Sequence, residues 1–357
     1  MGIFSNINKQ LDQPAEHHPL RWWHLPLLLL LIVGTILTCK SAGTPSSSDG
    51  YMQSEGEVFG TIYHITYHYG HDLRPSIDSV LAQVDRSLSP FNSHSIITAV
   101  NNNQDVTVDS GFTTVFRLAR QVYEETGGAF DITVAPLVNL WGFGFKNEAG
   151  VTDSLVRATL IHVGMDKVSL QADRVVKTDT LTMLDCSAIA KGYGVDAVGL
   201  YLEHLGITDY MVEIGGEVRL RGSNPKGEPW SIGIMKPVDD PTGQQSELEQ
   251  VLRLTGMSMA TSGNYRNYYE REGRKYAHTI DPHTGYPVQH SLLSATVLAS
   301  DCATADAYAT SFMVLGMDRA REVLSRHPEL SAFLIYSDHD GNTHNWMTDG
   351  FKKYIRE

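Results

Sequence analysis

A chain of 357 residues, 42% hydrophobic and 19% charged, has the apolar material for one large domain or two small ones. Its formal charge of −13 excludes a broad nucleic-acid-binding surface, which needs a basic face. Three cysteines in this length do not make a disulfide framework.

Residues 1–24 are polar and mixed in charge, closing on Arg21, Trp22, Trp23 and His24. Leu25 to Leu37 then carries no charge and is interrupted only by Pro26 and Gly34. That run is shorter than the about 20 residues of a comfortable membrane span and has the length of a signal-peptide core. It leads into Ile36, Leu37, Thr38 and Cys39, a stretch that resembles a bacterial lipobox, in which the Cys becomes the lipidated first residue. Two readings of residues 1–39 stand: a signal peptide cleaved before a lipidated Cys39, and an uncleaved signal anchor. Both tether the chain to a membrane with its C-terminal part on the extracytoplasmic, periplasmic face. Residues 40–56 are rich in Ser, Gly and Pro and read as a flexible linker. The folded domain is therefore expected over residues 57–357.

Val58 to Tyr69 alternates, with Tyr63, Ile65, Tyr67 and Tyr69 on one face, and reads as a strand. His64 and His68 fall on the other face and read as surface histidines. Ser76 to Leu88 is an amphipathic helix carrying Ile77, Val80, Leu81, Val84 and Leu88 at helical spacing. Gly111 to Thr126 is a second helix, stopped by Gly127 and Gly128. Ala129, Phe130 and Asp131 follow, an acid beside an aromatic in a turn. Thr152 to Ile161 reads as a helix, and Lys167 to Leu170 with Arg174 to Lys177 as a hairpin.

The stretch Leu184 to Leu200 gathers Asp185, Ser187 and Lys191 where a strand turns into a helix. Exposed N–H groups and the helix dipole favour anions at such a place, and Lys191 adds a cation. Gly192, Gly194 and Ala197 also fit the G-x-G-x-x-A dinucleotide fingerprint. That fingerprint needs its first Gly directly after the strand, and Cys186 to Lys191 intervene. The alternatives are a phosphate site and an ordinary helix start.

Beyond it, Tyr210 to Ile214 and Glu217 to Arg221 form a hairpin across Gly215 and Gly216. Trp230 to Met235, Val251 to Leu254 and Met257 to Ala260 are strands, and Tyr268 to Glu270 pairs with Lys275 to Ile280. Asp281 to Pro287 is a loop stiffened by Pro and Gly. Leu293 to Ala299 is a strand, followed by helices over Ala303 to Leu315 and Asp318 to Arg326. Asp306 and Thr310 lie four apart on the first of these, so both oxygens share one face. Such a pair suits a hard cation such as Mg²⁺, and equally a helix-surface hydrogen bond. Ala332 to Tyr336 and His344 to Met347 close the chain, with Asp338 to Asn342 as a hairpin turn.

Taken together, these segments resemble the ApbE-type FAD:protein FMN transferases. The resemblance spans about Val58 to Met347. It rests on Phe59-Gly60-Thr61, Ser89 to Asn92, Gly128 to Asp131, Asp185 to Gly192, Gly215-Gly216, Thr261 to Gly263, His278 to Gly285 and Ala305-Asp306, in that order. It implies a single α+β domain of mixed and antiparallel sheets with packed helices. It implies transfer of FMN from FAD onto a Ser or Thr of a partner in the pattern Asp/Ser-Gly-Ala-Ser/Thr-x-Ala-Thr, with release of AMP. The acceptors it implies are subunits of membrane redox complexes and extracytoplasmic flavoproteins. Carried over by position, flavin contacts fall on Phe59, Phe91, Ala129, Phe130, Asp131, Asp185, Lys191 and Ile280. A Mg²⁺ site falls on the Ala188 carbonyl, the Asp306 carboxylate and the Thr310 hydroxyl. Lys191 would offset negative charge developing on the phosphates, and His278, or after it Asp281, would activate the acceptor hydroxyl.

Overall fold

The computed structural model describes residues 50–145, 150–237, 247–264, 268–271 and 274–356, with no side chain described between 265 and 277. The leader, Cys39 and most of the expected linker lie outside the described residues. Among those residues no helix is long and apolar enough to cross a membrane.

The first two strands, β1 (Tyr51–Val58) and β2 (Thr61–His68), form an antiparallel hairpin. This corrects the sequence reading twice. Residues 51–56, expected as linker, are strand, because β2 supplies a ladder that their polar composition does not advertise. The expected single strand over 58–69 is broken at Phe59 and Gly60, whose φ values of 52° and 73° reverse the chain. A left-handed Phe costs about 1–2 kcal/mol. Its ring lies where a side chain on Gly194 would collide, 2.6 Å from the position of a Cβ there.

Eight strands make one antiparallel sheet in the order β1-β2-β5-β6-β9-β12-β13-β14. The central members are β5 (Tyr210–Ile214), β6 (Glu217–Arg221), β9 (Met257–Gly263) and β12 (Leu292–Ala299), and β13 (Ser331–Ser337) and β14 (Thr343–Met347) complete it. Small ladders form apart from it: β3 (Val168–Gln171) with β4 (Arg174–Lys177), β7 (Trp230–Met235) with β8 (Leu248–Leu254), and β10 (Tyr268–Arg271) with β11 (Arg274–Ala277). Ile280, expected in the last of these, instead bridges Pro287.

Side chains alternate between the faces of a strand, and the sheet uses both. Tyr63, Ile65, Tyr67, Val212 and Ile214 pack with Ile77 and Leu81 of α1 (Arg74–Leu88) and with Val195 and Val198 of α6 (Ser187–His204). Ala295, Val297, Ala332 and Leu334 join Phe112, Val115 and Phe116 of α3 (Ser110–Glu125) and Ala309 and Phe312 of α7 (Cys302–Arg326). On the opposite face Val218, Leu220, Leu298, Phe333 and Ile335 pack against Trp230 and Ile234 of β7, Leu252 of β8 and Phe351 of the terminal α8 (Asp349–Lys352). Three short helices were not legible in the sequence, α2 (Ile96–Asn101), α4 (Ala135–Leu140) and the terminal α8; α5 (Asp153–Leu160) was. α7 is broken at Gly316, whose φ of 71° and ψ of −179° separate the two helical stretches read from the sequence.

Candidate active site

The site grows out of the junction into α6. Met183 bridges Val134 in parallel, and Asp185 donates its N–H to the Ile132 carbonyl at 2.7 Å. Asn101 braces the same segment, bonding both the N–H and the carbonyl of Leu184 at 2.7 and 2.8 Å. These contacts tie the segment that carries Asp185 to the one that carries Asp131, and both residues line one cavity. Asp131 is 7% exposed and accepts from the N–H and hydroxyl of Thr133 at 2.7 and 2.6 Å. Burial pushes its carboxyl up to about 6 against the pull of those bonds. Asp185 accepts from the N–H and hydroxyl of Ser187 at 2.8 and 2.5 Å, and burial raises its carboxyl too.

One turn into α6, helix meets helix. Gly192 donates its N–H to Asp306 Oδ2 at 3.0 Å. A Cβ at Gly192 would stand 2.4 Å from the Cys302 carbonyl, so only glycine lets α6 and α7 approach this closely. Asp196, one turn further on, accepts from the N–H groups of Cys302 and Ala303 at 2.9 and 2.8 Å and from Arg219 Nη1 at 2.8 Å. Asp301 caps α7 through the Thr304 N–H. The two helices are thereby fixed where one carries Ala188 and Lys191 and the other Asp306 and Thr310.

Lys191 Nζ donates to Glu217 Oε1 at 2.5 Å. Glu217 is 3% exposed, and its Oε2 is buried without a hydrogen-bond partner. Burial lowers the affinity of Lys191 for its proton, but Asp306 and Glu217 outweigh it and hold the ammonium charged. Burial raises both carboxyls, with Lys191 opposing it. Ionised, the three groups carry two negative charges and one positive, a deficit that a bound cation would relieve.

A cavity of about 1350 Å³ joins all of this. Its lining includes the apolar Phe59, Phe91, Ala129, Phe130, Phe143 and Ile280 and the polar Asp131, Asp185, Lys191, Glu217, His278, Asp306 and Thr310. Phe91 is 68% exposed at the mouth, edge-on to Phe145 at 6.3 Å. Ala188 lines the cavity as well. Of the residues singled out from the sequence, Asp281 stands outside. Its Oδ1 accepts from the His283 N–H at 2.9 Å and its Oδ2 from the Thr284 hydroxyl at 3.1 Å, so it braces its own loop. His283 ties that loop to the Gly127 carbonyl at 3.0 Å. Glu217, Gly192 and Asp196 were missed as working residues. Gly192 and Asp196 lay inside the matched stretch, but their partners are 106 to 114 residues away. The described cysteines, Cys186 and Cys302, are buried free thiols.

Residues 59–334 match the model of the ApbE family. The chain belongs to the ApbE family. It is 39% identical over 303 residues to a FAD:protein FMN transferase of Haemophilus influenzae, covering 80% of this chain and 86% of that one. It is 36% identical over 336 residues to a FAD:protein FMN transferase of Vibrio cholerae, covering 91% and 96%. The fold is similar to a solved flavin transferase ApbE from Vibrio cholerae with a TM-score of 0.77 at 36% identity, over 85% of this chain and 99% of that one. The α+β architecture of antiparallel sheets with packed helices is the family's.

Proposed function

We propose that this protein transfers FMN from FAD to a serine or threonine hydroxyl of an acceptor protein, releasing AMP. The observation that carries the reading is one cavity lined both by aromatic side chains and by the buried Lys191–Glu217–Asp306 cluster. The first suits an isoalloxazine ring, the second a pyrophosphate. That the relatives named above are FAD:protein FMN transferases supports it.

Among the described residues no group of three or more His, Cys, Asp or Glu is set to hold a metal ion. Mg²⁺ binds through one or two carboxylates and takes its remaining oxygens from phosphates and water. The Asp306 carboxylate, the Thr310 hydroxyl and the Ala188 carbonyl are hard oxygen donors of that kind, and the charge deficit around the unpartnered Glu217 Oε2 favours a cation. When bound, Mg²⁺ would neutralise charge on the pyrophosphate. The chain's own work is positioning. Lys191 offsets charge at the phosphorus, Asp131 and Asp185 orient the flavin, and His278 takes the proton from the acceptor hydroxyl as its oxygen attacks the FMN phosphorus and AMP leaves. The acceptors are proteins carrying the Asp/Ser-Gly-Ala-Ser/Thr-x-Ala-Thr pattern.

The test is the full-length chain with FAD, Mg²⁺ and a peptide of that pattern, resolved by chromatography. Flavin fluorescence eluting with the peptide supports transfer. AMP with free FMN alone would make the protein a pyrophosphatase, and unchanged FAD a flavin binder.

We also propose that the protein is a periplasmic lipoprotein tethered through Cys39, on the strength of the lipobox-like stretch before it. Cys39→Ala should release the protein from membranes or leave a precursor of larger mass. A variant that fractionates and migrates like wild type would favour the signal anchor.

A further inference from the structure

A serine or threonine hydroxyl stands only two bonds from its Cα, so the acceptor's main chain must itself enter the cavity to reach a phosphorus there. Main-chain N–H and C=O groups taken out of water need partners, and strand addition is the common way for an extended segment to find them. β8 has no room for another strand. Arg253 donates to the Tyr354 carbonyl at 2.8 Å, and Val251 accepts from the Arg356 N–H at 2.9 Å, so the C-terminal residues cover its outer edge.

β7 is different. Its ladder pairs Ser231 with Arg253 and Gly233 with Val251. In an antiparallel ladder opposite residues turn their main-chain groups the same way, both toward the partner strand or both away. Arg253 and Val251 face away, so Ser231 and Gly233 face away on the other side. No strand pairs with that side of β7 among the described residues. Ser231 and Gly233 are exposed, while Gly233, Ile234 and Met235 line the cavity. Ile234 packs with Val218 and Met259 on the sheet face away from α6, and the cavity that Gly233, Ile234 and Met235 line is the one that Lys191, Glu217 and Asp306 line. Among the described residues, 261–263 of β9 also offer an open edge on the cavity wall, past the end of the pairing with β6. Those residues are part-buried, so a strand of another protein enters from solvent more readily along β7.

We propose that the acceptor segment binds as an added strand on the free edge of β7, hydrogen-bonded to Ser231 and Gly233, with its hydroxyl directed to the cluster of Lys191, Glu217 and Asp306. This rests on the transfer reading above.

The experiment is an N-methyl scan of the acceptor peptide with the unaltered full-length protein, joined to the variant Gly233→Pro. Methylating N–H groups that bond β7 should raise KM about tenfold or more, and methylating their neighbours should change it little, giving a period of two residues. Gly233→Pro removes one donor from the free edge and should raise the peptide's KM with a smaller change in kcat. A scan without a period of two would overturn the proposal. So would a period of two in which Gly233→Pro leaves KM unchanged, which would move the added strand to β9. If the unmodified peptide is never labelled while AMP is released, the transfer reading itself fails and takes this proposal with it.

Discussion

Gly192 and Asp306, 114 residues apart in sequence, meet through a main-chain N–H and a carboxylate oxygen at 3.0 Å. That contact joins the helix carrying Lys191 to the helix carrying Thr310. Asp306 is 4% exposed, and burial raises its carboxyl, so an ionised Asp306 depends on positive charge nearby.

Asp306→Ala should therefore abolish AMP release with and without acceptor, and make FAD binding insensitive to Mg²⁺. If Asp306 only braced its helix, the variant would lose about 1 kcal/mol of stability and keep its activity. Product release and a flavin-fluorescence titration, with and without Mg²⁺, separate the two.

Lys191→Met leaves Glu217 and Asp306 as buried carboxylates without their cation. Breaking a fully buried pair costs about 3–5 kcal/mol; with Lys191 one-third exposed, the loss should be smaller, about 2 kcal/mol. Mg²⁺ without FAD should raise the melting temperature of this variant more than that of wild type. An equal response in both would contradict a cation site at the cluster.

His278 lines the cavity and Asp281 does not. His278→Ala should lower the rate of transfer by about 10²–10⁴-fold while FAD affinity stays within a few-fold. Asp281→Ala, by loosening the loop, should act on stability more than on rate. Wild-type turnover in His278→Ala would remove that residue from the mechanism.

Asp131 gives a pH dependence of known sign. Its carboxyl is raised by burial from 3.8 to about 6, so the folded state holds the proton more tightly than the unfolded chain. Its contribution to stability is fully present below pH 3.8 and is lost as pH rises through about 6. Asp131→Asn cannot ionise. Its melting temperature should fall less than that of wild type between those two values, and parallel curves would contradict the shift.

Amphipathic helices were legible because their signal is local: Ile77, Leu81, Val84 and Leu88 repeat at helical spacing and are buried. β1 was not, because an edge strand rich in Ser, Gly and Glu buries only Ser54 and depends on β2 for its ladder. The site was legible as an ordered set of short motifs, and each of the eight contributes at least one residue to the cavity wall. Asp281 was the second choice after His278 for activating the acceptor hydroxyl, yet a turn of loop directs its oxygens to His283 and Thr284. Glu217 follows the Gly215–Gly216 turn as an ordinary strand residue would. Only the packing of α6 on the sheet sets it against Lys191, and spacing within the chain carries no trace of that.

The central claim is that the cavity holding Lys191, Glu217 and Asp306 passes FMN to a protein hydroxyl. It is tested most directly by measuring, in one reaction of the full-length protein, AMP released and flavin attached to an acceptor peptide. The account predicts equal molar amounts, dependence of both on Mg²⁺, and no attached flavin when the acceptor threonine is replaced by alanine. AMP accumulating with free FMN while the intact acceptor peptide stays unlabelled would contradict it.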